Sequence, residues 1–503
     1  MLMTLVTGAF AQKIADKWVP DEVLVKISRG SETRAAEGLM VEGAASVERL
    51  GDLGWQRFRL QPGTSVEGAM AKFKGVDGVI EVQPNFYYHL LLTPNDPQFA
   101  TSGMYGLTKI NAPAAWDLTT GSSAVVVADI DTGMLYTHQD LAANAWVNPG
   151  EIAGNGVDDD GNGFADDVRG WDFFFNDNNP IDDAGGHGTH TAGTIGASGN
   201  NMLNVVGVNW NVKIMPIKIY SPNGTDSTSA MLVNAYNYVR MMKQRGVNIR
   251  VTNNSYGGCG EACGYDQATK DALDAMGNAG ILNVFAAGND NINNDVNPSY
   301  PVSYTSPSVL GVAASNSTDA KASFSSYGPN SVDVAAPGVG ILSTWASSTT
   351  ATATLQGTSM ATPHVTGAAA LLSAFNPNLS PASLKATLMN TVDPIAAWSG
   401  LIKTGGRINV LAAMQNQTVC NFAPPQSTIN IKTKGGYVSF NITPGTNCDY
   451  FVKSNSKWIK VDGAETRTGS STVTFRVTMN PTVTRTGTIT VGDQTVVVRQ
   501  SRS

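Results

Sequence analysis

Three styles of hydrophobic patterning follow one another along the chain. Up to about residue 92 the pattern is mixed. VLVKI (Val23–Ile27) reads as a strand, and Trp55, Arg57 and Arg59 alternate with Gln56, Phe58 and Leu60 as a half-buried strand does. Val66 to Lys74 has helical spacing, so this stretch is expected to be a small α+β module. Beyond it, apolar runs without polar alternation (AVVVADI, VKIMPIKIY, ILNVFAAG) are interleaved with helix-length stretches such as MLVNAYNYVRMMK and VTGAAALLSAF. Strands buried on both faces look like this, and the pattern predicts an α/β domain built on a mostly parallel sheet with helices on both faces. In the last stretch Val473, Phe475 and Val477 alternate with polar residues, and GTITVGDQTVVV reads as a hairpin about Gly492 and Asp493. The expectation there is an all-β sandwich.

Composition agrees with several folded units. The chain has 503 residues, and at roughly 150 residues per domain that suggests about three. A hydrophobic content of 42% with 15% charged residues supplies sizeable cores and excludes wholesale disorder. The net charge of -7 argues against a phosphate-neutralising nucleic-acid binder, and the sequence contains no 18-residue apolar run that would span a membrane. Charge changes along the chain: residues 1–92, 93–418 and 419–503 carry -1, -12 and +6. The expected division is a signal peptide at 1–11, a first domain at 12–92, a central domain at 93–418 and a last domain at 419–503. MLMTLVTGAFAQK carries a short apolar run ending in Ala9, Phe10 and Ala11, as a secretory cleavage site does, although it has no basic leader. Of the four cysteines, Cys259 and Cys263 are near neighbours while Cys420 and Cys448 are far apart; three pairings are open, and a near pair closing a small loop with a distant pair stapling one domain would favour a secreted or cell-surface protein.

The central domain holds the chemistry. AVVVADIDTG ends a buried strand in Asp131, where open α/β sheets place ligands, and Asp129 lies on the same strand face without an evident role. GGHGTHTAGTIGA sets His187 at the start of a helix among glycines that admit a neighbouring segment; His190, three residues on, is an alternative base or a metal partner. GTSMATPH puts Ser359 at the mouth of a helix, facing unpaired N–H groups, and Pro363 cannot donate to its carbonyl. Asn289 follows the buried run ILNVFAAG and offers an amide donor beside Ser359. Taken singly each is an ordinary turn or capping residue. A carboxylate, an imidazole, a hydroxyl and an amide at element ends of one domain point to nucleophilic hydrolysis.

In order, DTG, GHGTHTAGTIGA, NNSYGG, AAGN and GTSMATPH resemble the subtilisin family of serine proteases, from about Leu92 to about residue 412. The resemblance implies a subtilisin-like fold and a serine endopeptidase with Ser359 as nucleophile, His187 as base, Asp131 as its partner and Asn289 in the oxyanion hole. It also implies that Ser255, Tyr256 and Gly257 hold an extended protein or peptide substrate. The first domain resembles the family's propeptide, an intramolecular inhibitor removed by self-cleavage near Leu90 to Thr93. The tail, with WIKV, NPTVTRTGTITV and VVVRQ, resembles BACON-type or immunoglobulin-like modules, for which carbohydrate, protein or cell-surface partners are open. A non-catalytic adhesin on a protease fold is the alternative; an α/β-hydrolase esterase is disfavoured, since neither G-x-S-x-G nor its residue order is present.

Nine aspartates lie between Asp158 and Asp183. Within VDDDGNGFADD, Asp158, Asp160, Asn162, Gly163 and Asp166 have the spacing of an EF-hand loop, with Arg169 where the closing Glu belongs, so Asp167 is the expected substitute and structural calcium the expected ion. The family resemblance implies a second calcium at Asp96 and Asp140 and a third at Asp172 and Asp177.

Overall fold

A computed structural model describes residues 18–87, 92–100, 104–224, 227–257, 264–480 and 483–501. The chain divides into two compact units, residues 1–91 and 92–503. The leader, the pair Cys259 and Cys263, and half of the expected cleavage stretch, Leu90 and Leu91, lie outside the described residues.

In the first unit four antiparallel strands run in the order Ala44–Leu50, Trp55–Leu60, Trp18–Ile27, Val79–Phe86, with helices Glu32–Val41 and Val66–Phe73. The alternation seen in the sequence decides which face is buried: Gln56, Phe58 and Leu60 point inward while their neighbours face out.

The second unit is built on a nine-stranded sheet. From one edge to the other it runs Asp393–Pro394, Gly406–Arg407, Val334–Pro337, Val309–Ser315, Leu282–Ala286, Ile249–Asn254, Gly121–Asp131, Asn211–Lys218 and Trp171–Asp172. All neighbours are parallel except the first pair. The strand Gly121–Asp131 shows why polar alternation is missing. Val125 and Val127 enter one core with Ala192, Ile195, Val365 and Ala368, whereas Val126, Ala128 and Ile130 enter another with Tyr236, Val239, Leu273 and Met276. Helices cover both faces, so the strand presents apolar side chains to each. Chain order reverses direction at this strand, which makes its carboxyl end the switch point where such sheets open a crevice.

The C-terminal part is a sandwich. A five-stranded sheet (Thr428–Ile431, Gln494–Gln500, Arg485–Val491, Asp449–Ser454, Thr466–Thr468) faces a three-stranded one (Gly436–Ile442, Ser471–Val477, Ile459–Asp462) over Val452, Val473, Phe475, Val477, Ile489 and Val498. Pairing is antiparallel apart from Thr428–Ile431 beside Gln494–Gln500, and the hairpin turns at Gly492 and Asp493. A disulfide joins Cys420 to Cys448. The sandwich shares its core with Ala386 of the helix Pro381–Asn390. Beside it the buried Lys385 ammonium lies 2.8 Å from Asp449 and 3.7 Å from Asp333. Burial alone would lower the Lys385 pKa, but these two carboxylates more than reverse it. An ion group of this kind returns roughly what its desolvation costs, so the apolar contact at Ala386 contributes more to holding the sandwich. Among the described residues no helix is long and apolar enough to cross a membrane.

Candidate active site

Asp131 ends the central strand, buried, with its Oδ1 accepting the Thr132 N–H at 2.7 Å and lying 2.7 Å from His187 Nδ1. His187 is the first residue of the helix His187–Gly196. The close approach depends on Gly188, where a Cβ would collide with the Gly133 carbonyl. Asp182 fastens the start of this helix: it accepts the Thr189 N–H at 2.9 Å, the Thr189 hydroxyl at 2.7 Å and the Gly186 N–H at 3.2 Å. Thr132 bridges the two segments, donating to Asp182 at 3.2 Å and accepting the Gly188 N–H at 2.8 Å. Burial would lower the His187 pKa, but the charge and hydrogen bond of the Asp131 carboxylate outweigh it and push it up.

His190 takes no part in this opening. It is fully buried, with Nε2 3.0 Å from the Ile341 carbonyl and 3.2 Å from that of Ala353. Carbonyls only accept, so Nε2 carries the proton, and burial pushes the pKa down to about 4. His190 is thereby a neutral structural donor, with that nitrogen not free for a metal.

Ser359 is the second residue of the helix Thr358–Phe375 and shares with His187 a cavity of about 410 Å³, which Thr132, Tyr220, Ser255, Tyr256 and Asn289 also line. Its hydroxyl donates to the Ser255 carbonyl at 2.9 Å. Its own carbonyl, which Pro363 leaves without an N–H partner, accepts the Ser255 hydroxyl at 2.9 Å. The helix therefore continues through the proline because a neighbouring strand end supplies the missing donor. Asn289 Oδ1 accepts the Thr358 N–H at 2.9 Å and the Thr358 hydroxyl at 3.0 Å, which determines how the amide is turned. Its Nδ2 and the Ser359 backbone nitrogen lie on the same side of Gly357, where a Cβ would stand 3.6 Å from each. Ser255, Tyr256 and Gly257 continue from the strand Ile249–Asn254 along the cavity wall. The Tyr256 ring points inward, its hydroxyl on Asn254 Oδ1 at 2.8 Å and near the Tyr236 hydroxyl at 2.9 Å, which leaves the backbone facing the cavity.

The acidic stretch is arranged differently from an EF-hand loop. Asp158 accepts the N–H groups of Asn162 and Gly163, and Asp166 those of Gly154, Asn155 and Gly156, so both close turns of their own loop. The carboxylates that gather are Asp160, Asp167 and Glu151, with ligand atoms within 4.8 Å of one another. Asn162 Nδ2 donates to Asp167 at 3.0 Å, and Arg245 reaches Asp160 at 3.1 Å. Burial pushes the Asp167 pKa up to about 6 despite donors from Tyr238, Asn148 and Asn162. Elsewhere, Asp96 keeps a buried Oδ1 with no hydrogen-bond partner while Oδ2 accepts the Asn200 N–H at 2.7 Å. Burial raises its pKa, and Asp140 adds to the rise. Asp172 is already neutralised by Lys218 at 2.9 Å, and Asp177 accepts the Asn179 N–H at 3.0 Å.

Sequence reading passed over Asp182, Thr132 and Glu151. A carboxylate five residues before His187 is the signal that marks Asp182 as the helix fastener; nothing local marks Glu151, which a loop returns to Asp160.

Comparison with known proteins bears on this geometry. The subtilase family model matches residues 122–422, the fervidolysin N-terminal prodomain model residues 5–85, and the BACON binding-domain model residues 449–501. Thermitase of Thermoactinomyces vulgaris is 37% identical over 323 residues, 64% of this chain and 99% of that protein. An extracellular protease of Xanthomonas campestris pv. campestris is 34% identical over 341 residues, 65% of this chain and 57% of that one. Among solved structures, a protease of Pseudoalteromonas arctica superposes with a TM-score of 0.52 at 29% identity, over 64% of this chain and 99% of its own.

Proposed function

The chain belongs to the subtilase family of serine proteases, and on that premise we propose that it is an exported endopeptidase acting through an acyl-enzyme on Ser359. The observation that carries this reading is the 2.7 Å Asp131–His187 pair opening on the cavity that Ser359 lines. Ser359 Oγ bonds to the scissile carbonyl carbon as His187 Nε2 takes its proton. The C–N bond then breaks while the imidazolium returns that proton to the leaving amine, and water repeats the sequence on the ester. Asp131 holds the Nδ1–H, so the Nε2 lone pair is left for the hydroxyl. The Ser359 N–H and Asn289 Nδ2 meet the oxygen as it becomes negative. A peptide N–H that donates to the Ser255 carbonyl takes the acceptor on which the Ser359 hydroxyl rests and releases that hydroxyl to His187. The direct test is casein hydrolysis by the purified protein: a serine-directed inhibitor is expected to abolish it, and a protein that binds casein without cutting it would favour the adhesin reading.

The same proposal assigns residues 1–11 to an export leader, 12–92 to a prodomain that inhibits its own protease, 93–418 to catalysis and 419–503 to the sandwich, with self-cleavage near Leu90 to Thr93. The prodomain match, the Cys420–Cys448 disulfide and the extracellular relative support it. The sandwich is proposed to attach the enzyme to carbohydrate, protein or a cell surface, in keeping with its BACON match.

Calcium fits two places. The partnerless buried Asp96 Oδ1 beside Asp140 is an oxygen that a cation would satisfy, and Glu151, Asp160 and Asp167 offer three more oxygen donors. A bound ion would stabilise the folded state alone, by about 2.7 kcal/mol at a concentration one hundred times its dissociation constant. Chelation is therefore expected to lower the melting midpoint while added calcium restores it; an unchanged midpoint would remove the ion from the account.

A further inference from the structure

Two residues before Asp131, and on the same face of the strand, stands a second carboxyl group. Asp129 is 2% exposed and receives the Asn253 Nδ2–H at 2.8 Å on one oxygen. Its other oxygen lies 3.0 Å from the Thr191 hydroxyl, and that hydroxyl also lies 2.9 Å from the Gly188 carbonyl. The Thr191 hydroxyl is the donor in both contacts and shares its proton between them. Both hydrogen-bonding partners of Asp129 are uncharged side chains, so neither offsets the cost of ionising a carboxyl group buried two residues from a second carboxylate.

The partners of Asp129 reach all three elements of the active site. Thr191 is on the His187 helix. Asn253 donates its second amide proton to the Ser255 hydroxyl at 3.0 Å, and that hydroxyl donates to the Ser359 carbonyl at 2.9 Å. Thr366, on the Ser359 helix, donates to Asn253 Oδ1 at 3.0 Å. All of these side chains are buried.

We propose that Asp129 is a positioning residue kept as a neutral carboxylic acid, and that its hydrogen bonds hold the Asp131 strand, the His187 helix and the Ser359 carbonyl in register. The charged and titratable groups around it are Asp131 on its own strand, His187 and His190 on the helix packed against it, and Asp182 at the start of that helix. Burial first, and then the neighbouring Asp131, raise its pKa well above the usual carboxylate range, in accord with its uncharged hydrogen-bonding partners. Neutrality has a consequence for the proposed reaction, on which this inference rests. An ionised Asp129 would add to the field that keeps His187 protonated and idle as a base, whereas the acid supplies the same hydrogen bonds without that field.

Asparagine reproduces the neutral acid: its amide donates to Thr191 and its oxygen accepts from Asn253. Asp129→Ala, which strands both partners, is expected to lower kcat by between about 5-fold and 150-fold with little change in KM. Asp129→Asn is expected to restore most of that loss and to leave the acid limb of the kcat/KM profile in place. A limb displaced to lower pH in Asp129→Asn would mean that Asp129 is ionised, and equal damage in both variants would remove its positioning role; either result overturns the proposal. Infrared difference spectra of intact wild type and Asp129→Asn near neutral pH give a reading that does not depend on activity. The wild type should show the carbonyl stretch of a protonated carboxylic acid that the variant lacks, and its absence refutes the neutral acid. Should the band be present in a wild type that hydrolyses nothing, the protease reading fails while the neutral acid stands.

Discussion

Ser359→Ala is expected to fold as the wild type does, to hydrolyse peptides about 10⁶-fold more slowly, and to keep its N-terminal segment; the magnitude is that of losing the nucleophile in a subtilisin, a member of this same family, and is carried over rather than computed for this chain. The fold should tolerate the change, because the Ser359 hydroxyl makes one hydrogen bond, to a carbonyl at the cavity wall. The carbonyl of residue 359, which Ser255 holds, is untouched. What is lost is the oxygen that bonds to the substrate. Oxyanion donors and the binding wall remain, so some rate above the uncatalysed one survives. Initial rates on a chromogenic peptide and the mass of the secreted product measure both effects together. Wild type and variant of equal mass would count against self-processing, and equal rates would count against Ser359 as nucleophile.

Asn289 carries the second large effect. Its oxygen is committed to Thr358 and its nitrogen lies beside Gly357, as the Ser359 backbone nitrogen does. Asn289→Asp keeps the acceptor for Thr358 while exchanging the donor for a charge of the wrong sign. Loss of one such donor costs about 10²–10³ in kcat, a figure again established on a subtilisin, and the charge should add to it. Asn289→Leu removes the donor together with the acceptor for Thr358 and is expected to lose at least as much. In both variants KM should change little, because the interaction belongs to the transition state. Steady-state kinetics that show KM rising with kcat preserved would assign Asn289 to substrate binding instead.

Much of the fold was legible because local patterning and burial obey the same periods. Runs such as AVVVADI lack alternation since helices cover both faces of the sheet, and Val473, Phe475 and Val477 alternate because only one face of the sandwich is covered. The positions of Asp131, His187 and Ser359 at element ends were legible for the same reason. Two kinds of information were not. One is orientation within a helix: His187 and His190 stand three residues apart, and the carbonyls of Ile341 and Ala353 that occupy His190 arrive from more than 150 positions away. The other is long-range charge compensation. Lys218 neutralises Asp172 from a neighbouring strand, Lys385 meets Asp449 across a domain junction, and Glu151 joins Asp160 and Asp167 while Asp158 and Asp166 turn to their own backbone. Asp129 was visible as a buried-strand carboxylate, but its purpose depends on Thr191, Asn253 and Thr366, which lie on three other elements.

A fluorophosphonate reagent tests most directly whether an activated alcohol stands beside the imidazole, since it reacts with a serine only when a neighbouring base takes the proton. Peptide mapping of the treated wild type should find a single adduct on Ser359, and His187→Ala should find none. An adduct on another residue, or casein hydrolysis that proceeds with Ser359 unmodified, would contradict the account.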